Sequence, residues 1–389
     1  MGTQGITLSQ QEEVLFLQQA VRINTVSHRG DELALARLLS NRMQAAGFKC
    51  QTFKLDGNRC NFIASLSSGR PGPRIVFTGH MDTVPEGNVP WKHDPFAAVI
   101  ENDILYGRGS VDMKSGLVAS MFAMLRFASK ENNNWSGEII LAATSCEETG
   151  AEGAQTMVDQ SQLGPFDGLI VAEPTDNDLV VAHKGALWTA IESKGKSAHS
   201  SMPNHGINAI DHLLSFYQRM GELDVSAPEH GLLDGPTKVV TMLTGGTQNN
   251  VVPDYSRLVF DIRSLPNQSH EALIQQINNI CANIMQESNQ AQLSSKVLLN
   301  IPAVSTKPDA LLVQIAKQVL SDLKGHEIKE KGARYFTDAS VLQQLGKEII
   351  VLGPGDPIQA HQTNEHLVLA DYMQAIDIYE QILRRRMLV

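Results

Sequence analysis

In the first half of the chain, segments with the apolar spacing of an α-helix alternate with short apolar runs typical of β-strands. The helical segments are residues 8–25, 31–46 and 115–129, and the strand-like runs are residues 60–65, 75–78, 138–144 and 168–172. Strands that alternate with helices predict a mainly parallel sheet with helices on both faces. We therefore expect an α/β domain in this part of the chain.

The pattern changes near residue 184, where alternating apolar positions indicate half-exposed strands. The strand-like residues here are 187–194, 238–243 and 257–263, and the helical ones are 206–220 and 269–287. The α/β pattern returns in a helix at 309–323, a strand at 348–352 and a helix at 367–383. This order predicts a first domain built from residues 1–183 and 297–389, with an α+β domain of residues 184–296 inserted into it.

Length and charge narrow the class of protein. A chain of 389 residues is too long for one ordinary core, which agrees with two domains. The formal net charge is -10 and there is no basic cluster, so nucleic acid is not expected as a partner. A surplus of carboxylates suits a cation-binding cleft, although a solvated acidic surface gives the same count.

The cysteines and the apolar runs bear on the cellular compartment. Cys50, Cys60, Cys146 and Cys281 form no CxxC pair and are too few for a disulfide scaffold, which favours a reducing cytoplasm. The first residues lack a cationic start and an apolar signal core. The longest apolar stretch, residues 117–125, is too short to span a bilayer. We expect a soluble cytoplasmic protein with no membrane segment.

Polar side chains with metal-binding chemistry directly follow several predicted strands. These are His80 with Asp82, the pair Glu147-Glu148, and Glu173. Because ligands collect beyond the carboxyl ends of parallel strands, we expect these side chains to lie close together. Imidazole and carboxylate groups are ligands of divalent cations. Each residue alone has an ordinary explanation as a turn cap or a loop acid, so the prediction depends on their coincidence.

Further residues complete the predicted metal site. Asp112 follows the Gly-rich turn 107–110, which lacks phosphate-loop spacing, so we favour a carboxylate that bridges two cations over a phosphate cradle. The adjacent Glu147 and Glu148 point in different directions, so one can hold metal while the other transfers a proton. His361 adds a second imidazole if the two ends of the chain pack together. These residues predict two divalent ions that activate water and share one carboxylate.

Two neighbours of the predicted ligands have alternative interpretations. In extended backbone Asp82 leaves the same face as His80 and can orient its ring, or both residues simply cap a turn. Cys146 precedes Glu147 and is either a nucleophile or a buried thiol. The acidic neighbours oppose formation of a thiolate, which favours the buried thiol.

The chain resembles the dinuclear-zinc aminoacylase, acetylornithine deacetylase and succinyl-diaminopimelate desuccinylase family of metallohydrolases. The resemblance is carried by the motifs GHMDTVP, LYGRGSVDMKSG, CEETGAEG, AEPT, KGKSAHSSMP and AHQTNE. They stand in the order typical of that family and span nearly the whole chain, including the inserted domain. They are therefore specific for the family, whereas the substrate is much less constrained by them.

The resemblance implies a role for each residue of the predicted site. The first zinc would be held by His80 and Glu173, the second by Glu148 and His361, with Asp112 bridging, Asp82 orienting His80 and Glu147 as general base. Cobalt is an alternative to zinc. The family also implies a cis peptide bond between Asp112 and Met113.

For the inserted domain, the resemblance implies a lid that also forms a homodimer. His199 would reach the oxyanion of a partner subunit, although without the family match it reads as a surface histidine. Asn249 and Arg263 would bind the substrate carboxylate, a task that suits the bidentate guanidinium. Thr337 stands in a segment that resembles a substrate-facing loop.

The implied reaction is hydrolysis of the amide of a small N-acyl amino acid. Succinyl-diaminopimelate desuccinylase is the first specific expectation, acetylornithine deacetylase the second, and a dipeptidase or broad aminoacylase the third. His183-Lys184 stands where some desuccinylases carry paired arginines, which weakens the case for a dianionic succinyl substrate. A relative that binds metal or peptide without catalysis is the alternative from a different class.

Overall fold

The computed structural model describes residues 8–27, 29–131 and 134–388. The helices are α1 (Leu8–Arg22), α2 (Glu32–Gln44), α3 (Lys114–Glu131), α4 (Glu152–Asp159), α5 (Ala209–Arg219), α6 (His270–Glu287), α7 (Leu311–Lys324), α8 (Ala339–Leu342) and α9 (Leu369–Met387). The strands are β1 (Lys49–Lys54), β2 (Cys60–Ser67), β3 (Arg74–His80), β4 (Val99–Glu101), β5 (Ile104–Tyr106), β6 (Glu138–Thr144), β7 (Gly168–Val171), β8 (Val180–His183), β9 (Gly185–Lys194), β10 (Thr237–Gly245), β11 (Tyr255–Ser264), β12 (Gln292–Ile301), β13 (Val304–Ser305), β14 (Lys331–Ala333), β15 (Ile349–Val351) and β16 (His366–Val368).

The chain forms two compact units. The first contains the described residues of Met1–Ala182, Ser305–Gly332 and Thr337–Val389, and the second contains His183–Val304 and Ala333–Phe336. Both ends of the chain therefore contribute to one unit, with the other inserted between them. The sequence placed the boundaries at 184 and 296, whereas the inserted unit continues to Val304 because β12 belongs to its sheet.

The large sheet of the first unit has the order β1-β2-β6-β3-β7-β15-β8-β13, with β14 beside β8. Its centre is parallel, from β6 through β3 and β7 to β15, whereas β1, β2 and β8 pair antiparallel. The central strands β3 and β6 are buried over nearly their whole length, as expected for strands covered on both faces. The predicted α/β class with a mainly parallel sheet is confirmed, and the antiparallel margin is an addition to it.

The helix α3 is the central helix of this unit. Most of its side chains from Lys114 to Phe127 are buried, and it packs against α1, α9 and β3. Gly116 makes this packing possible, because a Cβ there would lie 1.8 Å from the carbonyl oxygen of Ala172, just after β7. The start of α3 thereby reaches the carboxyl edge of the sheet. Among the helices in the described part of the chain, none has the length and apolarity needed to cross a bilayer.

A small sheet of order β16-β5-β4 lies in the first unit. Its antiparallel pairing places His366 opposite Tyr106 and Val368 opposite Ile104. The segment after β5 leads to Asp112, and the segment before β16 contains His361. This pairing joins two loops that are far apart along the chain.

The second unit is an antiparallel sheet with helices, as predicted for an α+β domain. Its strand order is β10-β11-β9-β12, and its core includes Leu187, Phe216, Phe260 and Ile277. The helices α5 and α6 pack against this sheet and against each other. The strand β10 lies at the edge of the sheet.

Candidate metal centre

The carboxyl ends of parallel strands bring the predicted ligands to one edge of the large sheet. His80 is the last residue of β3 and pairs with Thr144, the last residue of β6. Glu147 and Glu148 follow β6 by three and four positions in a 3-10 turn, Glu147–Thr149. Glu173 follows β7, which pairs in parallel with β3. The local pattern of strands therefore accounts for this part of the site.

Asp112 lies between two imidazoles. Its Oδ1 is 2.9 Å from Nε2 of His80, and its Oδ2 is 3.2 Å from Nε2 of His361. The peptide bond between Asp112 and Met113 is cis, as the family resemblance implied. A carboxylate with one oxygen toward each imidazole has the geometry that a bridging ligand requires.

Each imidazole also faces a glutamate. Nε2 of His80 is 3.6 Å from Oε1 of Glu173, and Nε2 of His361 is 3.0 Å from Oε1 of Glu148. The side chains thus form two groups, each with one imidazole and one glutamate, on the two sides of Asp112. The potential ligand atoms of His80, Asp112 and Glu148 all lie within 4.8 Å of one another.

The electrostatics of the cluster favour the binding of positive charge. Burial opposes a charged His80, yet the carboxylates of Glu173 and Asp112 raise its pKa well above the ordinary value. Hydrogen bonds with Asp112 and Glu148 raise the pKa of His361 to about 10. Burial raises the pKa of Glu173 well above its usual range. Surroundings that attract protons this strongly also attract divalent cations.

The donor set fits divalent metal ions. Imidazole nitrogen and carboxylate oxygen in a buried group suit zinc and similar borderline ions, and thiolates are not needed. Two imidazoles on opposite oxygens of one carboxylate allow two ions to be held side by side. The residues present are therefore the right kind and number for a pair of metal ions.

Asp82 contacts both His80 and the glutamate turn. Nδ1 of His80 donates to the backbone carbonyl of Asp82 at 2.8 Å, whereas the carboxylate of Asp82 is 3.6 Å away. In the neutral imidazole, the form that binds metal, this hydrogen bond leaves the lone pair on Nε2, the nitrogen that faces Asp112. The carboxylate of Asp82 instead accepts the N–H groups of Glu147 at 3.1 Å and Glu148 at 3.3 Å.

Glu147 lies in the cluster but outside the paired contacts of the imidazoles. Its side chain is buried, and burial together with the charge of Glu173 raises its pKa well above the ordinary value, against the opposing effect of His80. A buried carboxyl with a raised pKa is suited to accept and return a proton near neutral pH.

The Gly-rich turn after β5 does not have the open backbone of a phosphate loop. The N–H groups of Gly109, Val111 and Asp112 all donate to the carboxylate of Glu365. These donors already have an acceptor within the protein, so the phosphate-cradle alternative finds no support. Cys146 is buried next to Arg59 and burial raises its pKa, which fits a bystander thiol.

The residues predicted to contact substrate fall into both units. Thr337 belongs to the first unit, where it is fully buried and its hydroxyl accepts the N–H of Ala339. In the second unit His199 is exposed and its Nδ1 accepts from the backbone and hydroxyl of Ser201. Arg263 is half-buried on β11, and its Nε donates to Asp261 at 3.0 Å. Asn249 is exposed in the loop after β10.

The sequence analysis gave no individual role to three buried charged residues near the ligands, one of which, Asp338, lies in the segment that resembles a substrate-facing loop. Asp338 is fully inside the first unit, hydrogen-bonded to Thr144, and burial raises its pKa to about 6. Arg108 and Glu365 form a buried ion pair at 2.7 Å. Both residues of this pair lie within sequence motifs that carry the family resemblance. Their position in these motifs was the feature of the sequence that could have identified them.

Comparison with known proteins agrees with this site. The family model of peptidase family M20/M25/M40 matches residues 76–385 of this chain. A probable succinyl-diaminopimelate desuccinylase of Staphylococcus aureus is 32% identical, covering 96% of this chain and 97% of that protein. An acetylornithine deacetylase of Pasteurella multocida is 31% identical, covering 86% of each chain.

A solved structure with the same fold is a dinuclear metal-binding peptidase of the M20 family from Bacillus subtilis. Its TM-score is 0.72 at 14% identity, with 96% of this chain and 97% of that chain covered. The family match spans most of the chain and the site carries the corresponding ligand chemistry. The chain therefore belongs to peptidase family M20/M25/M40 and is a metal-dependent amide hydrolase.

Proposed function

We propose that this chain hydrolyses the amide bond of N-succinyl-diaminopimelate with two divalent metal ions, zinc or cobalt. The observation that carries the proposal is the position of Asp112 between His80 and His361. In this proposal His80 and Glu173 would hold one ion, and His361 and Glu148 would hold the other. Asp112 would be shared by both.

Two bound ions would supply Lewis acidity, which lowers the pKa of a water molecule and polarises the amide carbonyl. Glu147 is the general base in our proposal: its carboxylate takes a proton from the attacking water and gives it to the leaving amine nitrogen. Asp82 holds the backbone of Glu147 and fixes where that carboxylate points. The products are a free carboxylate and a free amine.

The succinyl substrate is supported by the Staphylococcus aureus relative and by a guanidinium at Arg263. We propose that Arg263 and Asn249 bind a substrate carboxylate and that Thr337 borders the substrate. Lys184 is buried and its Nζ donates to the carbonyl of Gly235 at 2.6 Å. Lys184 stands where some desuccinylases have an arginine, and its ammonium group is already engaged by this hydrogen bond within the protein.

Acetylornithine deacetylase is the second candidate. It is favoured by the Pasteurella multocida relative and by the engagement of Lys184 within the protein, which leaves fewer cations for a second carboxylate. A dipeptidase or broad aminoacylase, and a relative that binds metal or peptide without catalysis, are the remaining alternatives.

We propose a homodimer formed through the second unit, with His199 of one subunit completing the site of the other. The edge strand β10 supports this, because Val239, Met242 and Leu243 are each more than half exposed there, at 55%, 54% and 58%. Unpaired edge strands with apolar side chains favour association. Light scattering should give twice the chain mass, and a monomer with full activity would contradict the proposal.

We place the enzyme in the cytoplasm. The free thiols of Cys50, Cys60, Cys146 and Cys281 support a reducing compartment.

A substrate panel tests the specific activity. Initial rates are measured on N-succinyl-diaminopimelate, N-acetylornithine, and a dipeptide, with zinc or cobalt present and with a chelator. We expect the succinyl compound to give the highest kcat/KM and the chelator to abolish hydrolysis. A preference for N-acetylornithine would establish the second candidate, and equal rates would indicate a generalist. Two bound ions with no hydrolysis of any compound would favour the binding protein.

A further inference from the structure

The carboxylate of Glu365 is fully buried and accepts four hydrogen bonds. Its Oε1 accepts the N–H groups of Val111 at 2.7 Å and Asp112 at 3.0 Å. Its Oε2 accepts the N–H of Gly109 at 3.0 Å and Nη1 of Arg108 at 2.7 Å. Three backbone N–H groups of the loop that ends at Asp112, and the side chain of Arg108, are therefore directed at one carboxylate.

Arg108 extends this contact to two other loops. Its Nη2 donates to the carbonyl of Pro85 at 3.1 Å, and its Nη1 lies 3.3 Å from the carbonyl of Gln362. The guanidinium also stacks on Trp91, 5.1 Å from the ring centroid. The Arg108 side chain that makes these contacts is almost completely buried.

The pair thus joins three of the loops that carry candidate ligands. Pro85 lies in the loop that begins after His80, Asp112 ends the second loop, and Gln362 follows His361. Backbone contact at Gly107, whose N–H donates to the carbonyl of Glu365 at 3.0 Å, adds to the same junction.

The energetics of a buried ion pair point to a role in positioning. Desolvation offsets most of the attraction between two buried charges, so such a pair adds little net stability compared with apolar residues of similar size. Its value here lies in the geometry that it imposes on the backbone beside the ligands. Groups behind a metal ligand hold it in the orientation that binding requires.

We infer that Glu365 and Arg108 are positioning residues that hold Asp112 and His361 at the spacing needed for two metal ions. This inference rests on the proposed function, because it takes Asp112 and His361 to be metal ligands. Neither Glu365 nor Arg108 contacts the metal ions in this scheme. Both act through the loops that they join.

The substitution Glu365→Gln tests the inference with little change of shape. Both oxygens of Glu365 accept from two donors, and an amide nitrogen can only donate. Whichever way the amide is turned, two donors lose their acceptor. We expect zinc or cobalt to bind about 10- to 100-fold more weakly, as measured by calorimetric titration of the metal-depleted protein.

Glu13→Gln is the matched control. Glu13 is also buried and accepts from Nε and Nη2 of Arg126 at 2.7 and 2.6 Å, and this pair shares no residue with the metal site. Thermal unfolding of both metal-depleted variants measures the loss of stability, and titration measures metal affinity. We expect both variants to lose stability and only Glu365→Gln to lose affinity. Equal metal affinity in the two variants would overturn the inference.

A second variant covers the case in which Glu365→Gln does not fold. Arg108→Lys keeps the positive charge and loses the forked contact with Pro85 and Gln362. It should also bind metal more weakly than the Glu13→Gln control, and unchanged affinity would overturn the inference. Metal binding by the wild-type protein distinguishes a failure of the proposed function from a failure of this inference. If the wild-type protein does not bind two metal ions, the proposed function fails. If the wild-type protein binds two ions and the variants have the same metal affinity as the Glu13→Gln control, only the positioning role fails.

Discussion

Asp82 accepts the backbone N–H of Glu147 on its Oδ1 at 3.1 Å. Its other oxygen accepts the N–H of Glu148 and the hydroxyl of Ser27. The same residue offers its backbone carbonyl to Nδ1 of His80 at 2.8 Å. One aspartate therefore orients a candidate ligand through its backbone and the glutamate pair through its side chain.

Replacing Glu147 by glutamine should abolish most hydrolysis while metal content stays normal. The amide keeps the shape of the side chain but cannot accept the proton from water, so kcat should fall by about 10²- to 10⁴-fold. The measurement is steady-state kinetics with metal analysis of the same sample. Glu152→Gln is the control, because Glu152 is nearby and exposed, pairs with Arg59, and should leave kcat unchanged. Near-normal turnover of the Glu147 variant would show that the base is another group.

Asp82→Asn should reduce kcat more than it changes KM. Asparagine replaces one acceptor oxygen by a donor, which then faces the N–H of Glu147 or Glu148. We expect kcat to fall by about 10- to 100-fold, as for other groups that orient an active-site residue. Ser27→Ala removes a single hydrogen bond to the same carboxylate and should have a smaller effect. If the two variants have the same kinetics, the contact with the glutamate turn is unimportant.

Gly116→Ala should destabilise the protein strongly. The added methyl group would lie 1.8 Å from the carbonyl oxygen of Ala172, so helix α3 must shift away from the sheet. Overpacking of this kind costs about 1–3 kcal/mol or more in free energy of unfolding. The control is Gly221→Ala, where a Cβ meets no atom within 4 Å. Urea unfolding of both variants gives the comparison, and equal midpoints would contradict the packing described for α3.

Glu32 should make stability fall as pH rises through neutrality. Burial raises its pKa from 4.5 to about 7. The folded state therefore holds a proton that the unfolded state has already lost above pH 4.5. The stabilising contribution of the protonated group is complete below that pH and is lost as pH rises through about 7.

Glu32→Gln tests this linkage, because glutamine stays neutral and can still accept the N–H of Cys60. Relative to the variant, the wild-type protein should lose on the order of 3 kcal/mol of unfolding free energy from low to high pH. Denaturant unfolding at pH 5 and pH 8.5 measures the difference between the two proteins. A difference that does not change with pH would show that Glu32 is not buried in its neutral form.

The strand ends were predictable because they depend on local patterns. Apolar runs that stop at His80, before Glu147 and before Glu173 place these residues at the same edge of a parallel sheet. The position of His361 depends on the pairing of β5 with β16, which lie far apart in the sequence. Local apolar spacing does not encode such a pairing, so the family resemblance was needed for it.

Other features were missed for the same kind of reason. The strand β1 has an exposed, polar pattern at the margin of the sheet, and β12 is exposed along much of its length. Neither has the apolar run of a buried strand, and the missed β12 displaced the predicted domain boundary. Glu365 stands in the motif AHQTNE, yet only its burial and its four donors reveal what it contacts.

Anomalous diffraction from crystals grown with zinc tests the central claim most directly. Data collected on both sides of the zinc absorption edge locate each ion and identify the element. We predict two peaks, one in contact with His80 and Glu173 and one in contact with Glu148 and His361, both within reach of Asp112. A single peak, or peaks away from Asp112, would contradict the account.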